Sequence, residues 1–233
     1  MSKPVAIITG AGKGIGRAVA LEFTSRGYDI VLTARTEVDL KVTADVIGGG
    51  LTVVGDVADP KHAEKVVEDT MRQFGRIDAL VNNAGYAPSR TIEELTIDEW
   101  RQIIDVNLSG TVYFCKAVWP IMKKGGGGAI VNMSSAASRD PFPGLGAYGA
   151  AKAAINLLGL ALAREGEPAS IRVHTIAPAA VETGMFRSLV SKEQFPTDKT
   201  MDPAEIARLV VQCVSGELAY TNGEVIHVHK RLK

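Results

Sequence analysis

The sequence predicts an α/β protein built on a doubly wound parallel sheet of about seven strands, with helices on both faces. Short β-rich runs alternate with helical patterns along the whole chain. Several of these runs are apolar at nearly every position, as strands covered on both faces must be. In such a fold the crossovers are right-handed, and ligands bind beyond the carboxyl ends of the strands, near the point where strand order reverses. The 233 residues suffice for one large core, so residues 1–233 are expected to form a single domain.

The elements follow in order. VAIIT (5–9) is the first strand, followed by the glycine-rich TGAGKGIG (9–16) and a helical pattern near 15–26. IVLTA (30–34) precedes a helix at 37–46, and LTVV (51–54) precedes one at 60–74, where Asp59-Pro60 supplies a cap and a first-turn proline. IDALVN (77–82) leads to a long helical pattern at 97–122, and the glycine run 125–128 turns it into AIVNMS (129–134). A helix at 148–165 precedes IRVHTI (171–176). Residues 185–200 carry Pro196 and scattered apolar side chains (Met185, Phe186, Leu189, Val190, Phe195) without a period, the pattern of a mobile flap over a pocket. A helix at 203–214 and the strand EVIHVH (224–229) close the sheet.

Composition excludes several classes of function. Twenty-six basic and twenty-six acidic residues cancel, which leaves no electrostatic footprint for nucleic acid or an anionic membrane. Cys115 and Cys213 sit in apolar, helix-like segments outside any C-x-x-C pair, as buried free thiols of a reducing compartment do. His174, His227 and His229 alternate on strands without acids at ligand spacing, so no metal site is expected. The N-terminus lacks the features of a signal peptide and no run approaches membrane-spanning length, so the expectation is a soluble, cytoplasmic protein.

Gly10, Gly12, Gly14 and Gly16 follow the first strand and open a helix near Ile15. Glycine lets backbone approach a phosphate closely, and a helix start offers unpaired N–H groups and a positive dipole end, so a dinucleotide is expected here. The strict G-x-G-x-x-G spacing is not met. At the end of the second strand an acid would hold a ribose 2′-hydroxyl. The chain has Ala34-Arg35 there, and Lys13 in the glycine turn. Two cations suit a 2′-phosphate, so NADP is expected over NAD, with Glu37 as the acid placed to neutralise Arg35. Asp56, beside Val57, either accepts a hydrogen bond from an adenine amino group or serves a turn or helix cap. The NNAG segment (82–85), with Asn83, Ala84 and Gly85, lies where a cofactor would cross the sheet edge.

With these residues in view, the chain resembles the classical short-chain dehydrogenases/reductases, over about residues 4–229. TGAGKGIG matches the family's T-G-x-x-x-G-x-G turn, NNAG its strand-four motif and Asn107 in DVNLSG its helix asparagine, while Ser135 with Tyr148-x-x-x-Lys152 completes the pattern. The resemblance implies a Rossmann-type fold with Ser135 as the carbonyl-binding hydroxyl, Tyr148 as acid/base, and Lys152 as its electrostatic partner and ribose ligand. It implies Asn107 as holder of a water in the proton relay, and Thr183, after Pro178, as a contact of the nicotinamide amide. Lys13 and Arg35 fall where the family's NADP-preferring carbonyl reductases carry phosphate-binding cations, and the family's commonest match for such a short chain is a 3-oxoacyl-thioester or small-ketone reductase. The chain departs from the pattern at Pro178-Ala179-Ala180, where Pro-Gly is usual, and at His229-Lys230-Arg231, where Asp-Gly-Gly is common.

The chemistry explains these residue types. Reducing a carbonyl needs a hydride on carbon and a proton on oxygen, and a tyrosine near pKa 10 is a poor shuttle unless a cation lowers it. Positions i and i+4 share a helix face, so Lys152 stands beside Tyr148, and the small residues between them leave space for ligands. Ser135 donates to the oxygen on which charge builds, and the nicotinamide carries the hydride. Ser134 and Ser138 are assigned to backbone bonding. The helices containing TVYFCKAVW (111–119) and AAINLLGLALA (153–163) are apolar nearly all round, which predicts a homodimer or homotetramer. The expected activity is therefore NADP-dependent reduction of a small-molecule carbonyl. The alternatives are a cofactor-bound regulator or scaffold without turnover, an NAD-dependent alcohol dehydrogenase, and dehydratase or epimerase chemistry on a similar scaffold.

Overall fold

Alternation along the first strand sets the layering. In β1 (Val5–Thr9), Val5 and Ile7 face one side of the sheet and Ala6 and Ile8 the other, and all four are buried. A computed structural model describes residues 2–230. Around β1 it assembles β2 (Asp29–Ala34), β3 (Leu51–Val54), β4 (Ala79–Asn82), β5 (Gly128–Met133), β6 (Ile171–Pro178) and β7 (Val225–Val228). These form one seven-stranded sheet of order β3-β2-β1-β4-β5-β6-β7, parallel at every pairing. Strand order reverses between β1 and β4, which puts the switch point beside the glycine-rich turn, as expected.

The two faces are covered by different helices. On one, α1 (Gly14–Ser25), α2 (Glu37–Ile47) and α8 (Pro203–Ser215) bury Val19, Phe23, Leu40 and Val210 against Ala6, Ile8 and Leu32. On the other, α3 (Pro60–Phe74) and α5 (Gly110–Gly125) bury Val66, Phe114 and Val118 against Ile7, Val31 and Leu80. The α6 helix (Gly146–Gly166) packs on the same side against β6. Asp59 caps α3 by accepting from the Lys61 N–H at 2.9 Å, with Pro60 at the first helical position. Gly126 and Gly127 turn α5 into β5 through positive φ of 90° and 132°.

Three expectations need correction. The single helix over 97–122 is interrupted. It runs as α4 (Ile97–Ile104), then a wide π turn Asp105–Ser109, then α5, and the side chain of Asn107 inside that turn bonds outward to the backbone of Tyr86. Residues 185–200 are more structured than their lack of period suggested. They contain α7 (Gly184–Leu189) and a 3-10 turn Thr197–Lys199, and Phe186 meets Phe195 edge to face at 5.5 Å. Finally, the stretch Gly146–Ala169 is, at 24 residues, long and apolar enough to cross a membrane by length and composition. Here it is a layer of the fold, with Gly149, Ala151, Lys152, Ile155 and Gly159 buried.

Cys115 and Cys213 are free and buried, and burial pushes both thiols up to about 12. At the other end of the chain Lys230 donates to the Thr200 carbonyl at 3.0 Å, while Arg231 lies outside the described residues.

His174 on β6 is fully buried. Its Nδ1 is 3.1 Å from the Thr221 hydroxyl and its Nε2 has no partner among the described residues. Burial, reinforced by Arg172 and opposed by Thr221, pushes it from 6.5 down to about 4. The unfolded chain therefore binds a proton at a pH where the native chain does not, and stability present above about 6.5 is lost as pH falls toward 4. Chemical denaturation is expected to show a loss of about 2 kcal/mol from this group between pH 7 and 5. His174→Gln should flatten that part of the slope; an equal slope in the variant would refute the assignment.

Candidate active site

Lys13 occupies the N-cap of α1 in an extended conformation without a side-chain cap, so no side chain competes for the first-turn N–H groups. Gly10 and Gly14 take positive φ of 63° and 55°, in the left-handed region that favours glycine. A β-carbon on Gly16 would stand 2.3 Å from the Gly10 carbonyl oxygen, and one on Gly14 would stand 3.2 Å from the Thr183 methyl. An uncapped helix start wrapped by glycine backbone fits the pyrophosphate of a dinucleotide. Ile15 packs toward the core from this turn.

The NNAG segment braces the turn. Asn83 donates its side-chain amide to the carbonyls of Thr9 and Gly10, at 3.0 and 3.2 Å, and the Thr9 hydroxyl accepts the N–H groups of Asn83 and Ala84, both at 3.0 Å. Val57 points into the core, where Gly110 lets it approach. Pro178 is the buried last residue of β6, and Thr183 caps α7 by accepting from the Phe186 N–H at 3.2 Å.

Both expected phosphate-binding cations already have carboxylate partners. Arg35 lies 3.9 Å from Asp56, and Lys13 lies 2.8 Å from Asp39. The expected neutralising acid, Glu37, makes neither pair. Asp56 also accepts from the Ala58 N–H at 3.0 Å, the turn role that the sequence left open. Asp39 was not singled out in the sequence, because an acid in the first turn of a helix is explained by the dipole alone. Its place beside Gly12 comes from packing, since a β-carbon on Gly12 would stand 2.7 Å from the Asp39 Cβ. The ion pair with Lys13 holds the Asp39 carboxyl below its ordinary value.

Tyr148 and Lys152 lie one turn apart on α6, with Tyr148 half-buried and Lys152 only 3% exposed. The Lys152 Nζ donates to the Met133 carbonyl at 2.8 Å and sits 5.6 Å from the Tyr148 ring centroid. Burial pushes the phenol up to about 12, opposed by the Ser135 hydroxyl, and pushes the ammonium down to about 8. The expectation that Lys152 lowers the phenol is thus reversed in this conformation: the ammonium addresses the ring face and a carbonyl, and the loss of solvent governs both groups.

Ser135 heads the 3-10 turn Ala136–Ser138 at the end of β5, its Oγ accepting from the Ala137 N–H at 3.2 Å. Its neighbours bond to backbone as expected: Ser134 donates to the Lys152 carbonyl at 3.1 Å and Ser138 to the Ser135 carbonyl at 2.6 Å. One of the small residues in α6 has a packing role. A β-carbon on Gly149 would stand 2.5 Å from the Ala137 carbonyl oxygen, so this glycine lets α6 lie directly on the Ser135 turn.

Asn107 is fully buried. Its amide donates to the carbonyls of Tyr86 and Ile103, at 2.7 and 2.9 Å, and its Oδ1 accepts weakly from the Tyr86 N–H at 3.3 Å. Asn107 Oδ1, Lys152 Nζ and Met185 Cε converge on Gly85, at 3.1, 3.9 and 3.7 Å from where its β-carbon would be. Met185, on α7, therefore belongs to the same cluster, which a segment without period could not reveal. A cleft of about 440 Å³ is lined by Ile92, Leu95, Trp100, Phe142 and Pro143 and reaches α6 at Ala147, the residue before Tyr148.

Comparison with known proteins gives the family. The family model for short chain dehydrogenases matches residues 4–194. The chain is 35% identical over 232 residues to the 3-oxoacyl-(acyl-carrier-protein) reductase FabG of Salmonella typhimurium, covering 97% of this chain and 95% of that one. Among solved structures, a 3-ketoacyl-(acyl-carrier-protein) reductase from Brucella melitensis complexed with NADH superposes with a TM-score of 0.92 at 29% identity, covering 98% and 97% of the two chains. A putative NAD(P)-dependent gluconate 5-dehydrogenase from Beutenbergia cavernae, with bound NADP, does so with a TM-score of 0.89 at 32% identity, covering 98% and 96%. On its motifs, its parallel sheet and these relatives, the chain belongs to the short-chain dehydrogenase/reductase family of oxidoreductases.

Proposed function

We propose that this oxidoreductase reduces a ketone or aldehyde to a secondary alcohol with NADP(H), and that 3-oxoacyl thioesters are the first substrate class to test. The observation that carries the proposal is the convergence of Ser135, Tyr148 and Lys152, from the end of β5 and one face of α6, at the carboxyl edge of the sheet. The glycine turn with Gly10, Gly12, Gly14 and Gly16 would hold the pyrophosphate, Lys13 and Arg35 the 2′-phosphate, and Asn83 to Gly85, Pro178 and Thr183 the nicotinamide side. When bound, NADP(H) supplies the hydride chemistry.

The chain's own residues supply the proton and its control. With the phenol pushed up to about 12, Tyr148 is protonated at neutral pH and is the proton source, and its donation to a carbonyl oxygen depends on stabilising the phenolate that forms. Ser135 donates a second hydrogen bond to that oxygen and stabilises its developing charge. Lys152, fixed by the Met133 carbonyl, then offsets the phenolate left on Tyr148. Asn107 stands opposite Lys152 across Gly85, where one water would link them into a relay. The proposal includes a single cytoplasmic domain over 1–233, with 185–200 as its flap and Met185 reaching the catalytic cluster. It also includes homo-oligomerisation through α5 and α6, where Val112 and Leu157 are exposed.

A specific observation supports NAD as the second reading: Asp39 and Asp56 already offset the two cations. Titration with NADPH and NADH, followed by nicotinamide fluorescence, tests the choice, and a panel of ketones, aldehydes and acyl thioesters tests turnover. Tight NADPH binding with oxidation by one of the carbonyls is the expected result. Binding without turnover across the panel would favour a regulator. Arg35→Asp is expected to move preference toward NADH, and equal NADPH affinity in that variant would remove Arg35 from the phosphate site.

A further inference from the structure

The charges at the rim of the glycine turn are paired in advance: Lys13 with Asp39 at 2.8 Å and Arg35 with Asp56 at 3.9 Å. The members of the first pair are not equally free. Lys13 has a side chain 72% exposed, whereas that of Asp39 is 27% exposed. The α2 helix is bolted to the turn at this point, because the Asp39 Cβ lies 2.7 Å from the β-position of Gly12 and Arg17 donates to the Thr43 hydroxyl at 3.1 Å. That hydroxyl lies 3.1 Å from the Ala11 carbonyl and 3.2 Å from the Gly12 carbonyl. The carboxylate is the fixed charge and the ammonium the mobile one.

We propose that Asp39 limits the preference of this protein for NADP over NAD, by holding Lys13 in an ion pair that a 2′-phosphate must break. The inference rests on the reading of Lys13 and Arg35 as ligands of that phosphate. A phosphate monoester brings nearly two negative charges to a rim whose two ion pairs sum to zero, with the Arg17 guanidinium also acting on Asp39 from α1. It draws Lys13 away while repelling a carboxylate that backbone packing keeps in place. A ribose 2′-hydroxyl imposes neither cost, and Asp39 or Asp56 can accept its hydrogen bond. The site is therefore a compromise between the two dinucleotides, and Asp39 sets the balance through Lys13.

The test uses adenosine 2′,5′-bisphosphate and adenosine 5′-monophosphate, which carry the discriminating group without the nicotinamide, titrated calorimetrically into the whole protein. Asp39→Asn, Lys13→Ala, Arg35→Ala and the Asp39/Lys13 double variant are compared with the parent, with Asp39→Ser as a second, smaller replacement. Asp39→Asn is expected to tighten the bisphosphate about three- to tenfold, the scale of an exposed pair plus one nearby repulsion. It should leave the monophosphate unchanged or weaker, and the gain should shrink to the repulsive part alone when Lys13 is also removed; a gain of undiminished size there would mean that Asp39 does not act through Lys13. If Lys13→Ala and Arg35→Ala weaken the bisphosphate but Asp39→Asn and Asp39→Ser do not tighten it, the proposal fails while the NADP reading stands. If neither cation variant separates bisphosphate from monophosphate, the NADP reading fails and the role of Asp39 falls with it.

Discussion

Tyr148→Phe is expected to lower kcat for carbonyl reduction by about a thousandfold, within the range that general acid catalysis contributes, while NADPH affinity changes less than twofold. The substitution removes one oxygen and keeps the ring. Lys152 would still find the ring face 5.6 Å away and still donate to the Met133 carbonyl, so the ammonium keeps its place. The glycine turn that would hold the dinucleotide is formed by other elements and does not sense the change. What disappears is the proton source: the Ser135 hydroxyl is a much weaker acid, and the Lys152 ammonium loses the phenol through which the relay would pass a proton to the substrate. Steady-state kinetics with the best carbonyl of the panel, paired with a fluorescence titration of NADPH, checks both halves. Retained turnover would remove Tyr148 from the chemistry, and loss of NADPH binding would mean that the phenol holds the cofactor instead.

Much of this molecule was legible in the sequence because its signals are local. Runs such as VAIIT and IRVHTI are apolar throughout because helices cover both faces, and all seven expected strands are present with ends shifted by a residue or two. The glycine turn was legible because positive φ at Gly10 and Gly14 demands the residue type. The Tyr148 and Lys152 pair was legible because helical spacing alone puts them on one face. What remained hidden depends on contacts between distant segments. The helical pattern over 97–122 contains no breaker at Asn107, and the π turn there is seen only with the Tyr86 backbone beside it. The α7 helix is held by Arg187, which pairs with Glu182 and donates to the Phe195 carbonyl at 2.7 Å, an arrangement without periodicity. The direction of the phenol's shift was misjudged for the same reason. Sequence spacing gives the partner of a titratable group but not its burial, and burial dominates at Tyr148 and Lys152.

Gly149→Ala tests the contact that no spacing rule contains. The added methyl would stand 2.5 Å from the Ala137 carbonyl oxygen and 3.2 Å from the Pro141 Cβ, and backbone oxygen cannot yield as a flexible side chain does. Either α6 or the turn Ala136–Ser138 must move. That turn is tied to Ser135 through the Ala137 N–H and to α6 through the Asn156 amide, which donates to the Ser138 hydroxyl at 3.0 Å. A displacement of about 1 Å between catalytic groups costs on the order of a hundredfold in rate, so kcat is expected to fall by about that factor. Overpacking should lower stability by about 1–3 kcal/mol, which a urea titration would register. NADPH affinity should be kept, because the glycine turn lies on β1 and α1. A purely structural lesion would lower stability and leave kcat of the folded fraction alone. The two readings are separated by combining the change with Ser135→Ala: if Gly149 acts by positioning Ser135, the methyl should cost little further rate once the hydroxyl is gone. Independent, multiplying losses would mean that Gly149 serves the packing of α6 and not the placement of Ser135.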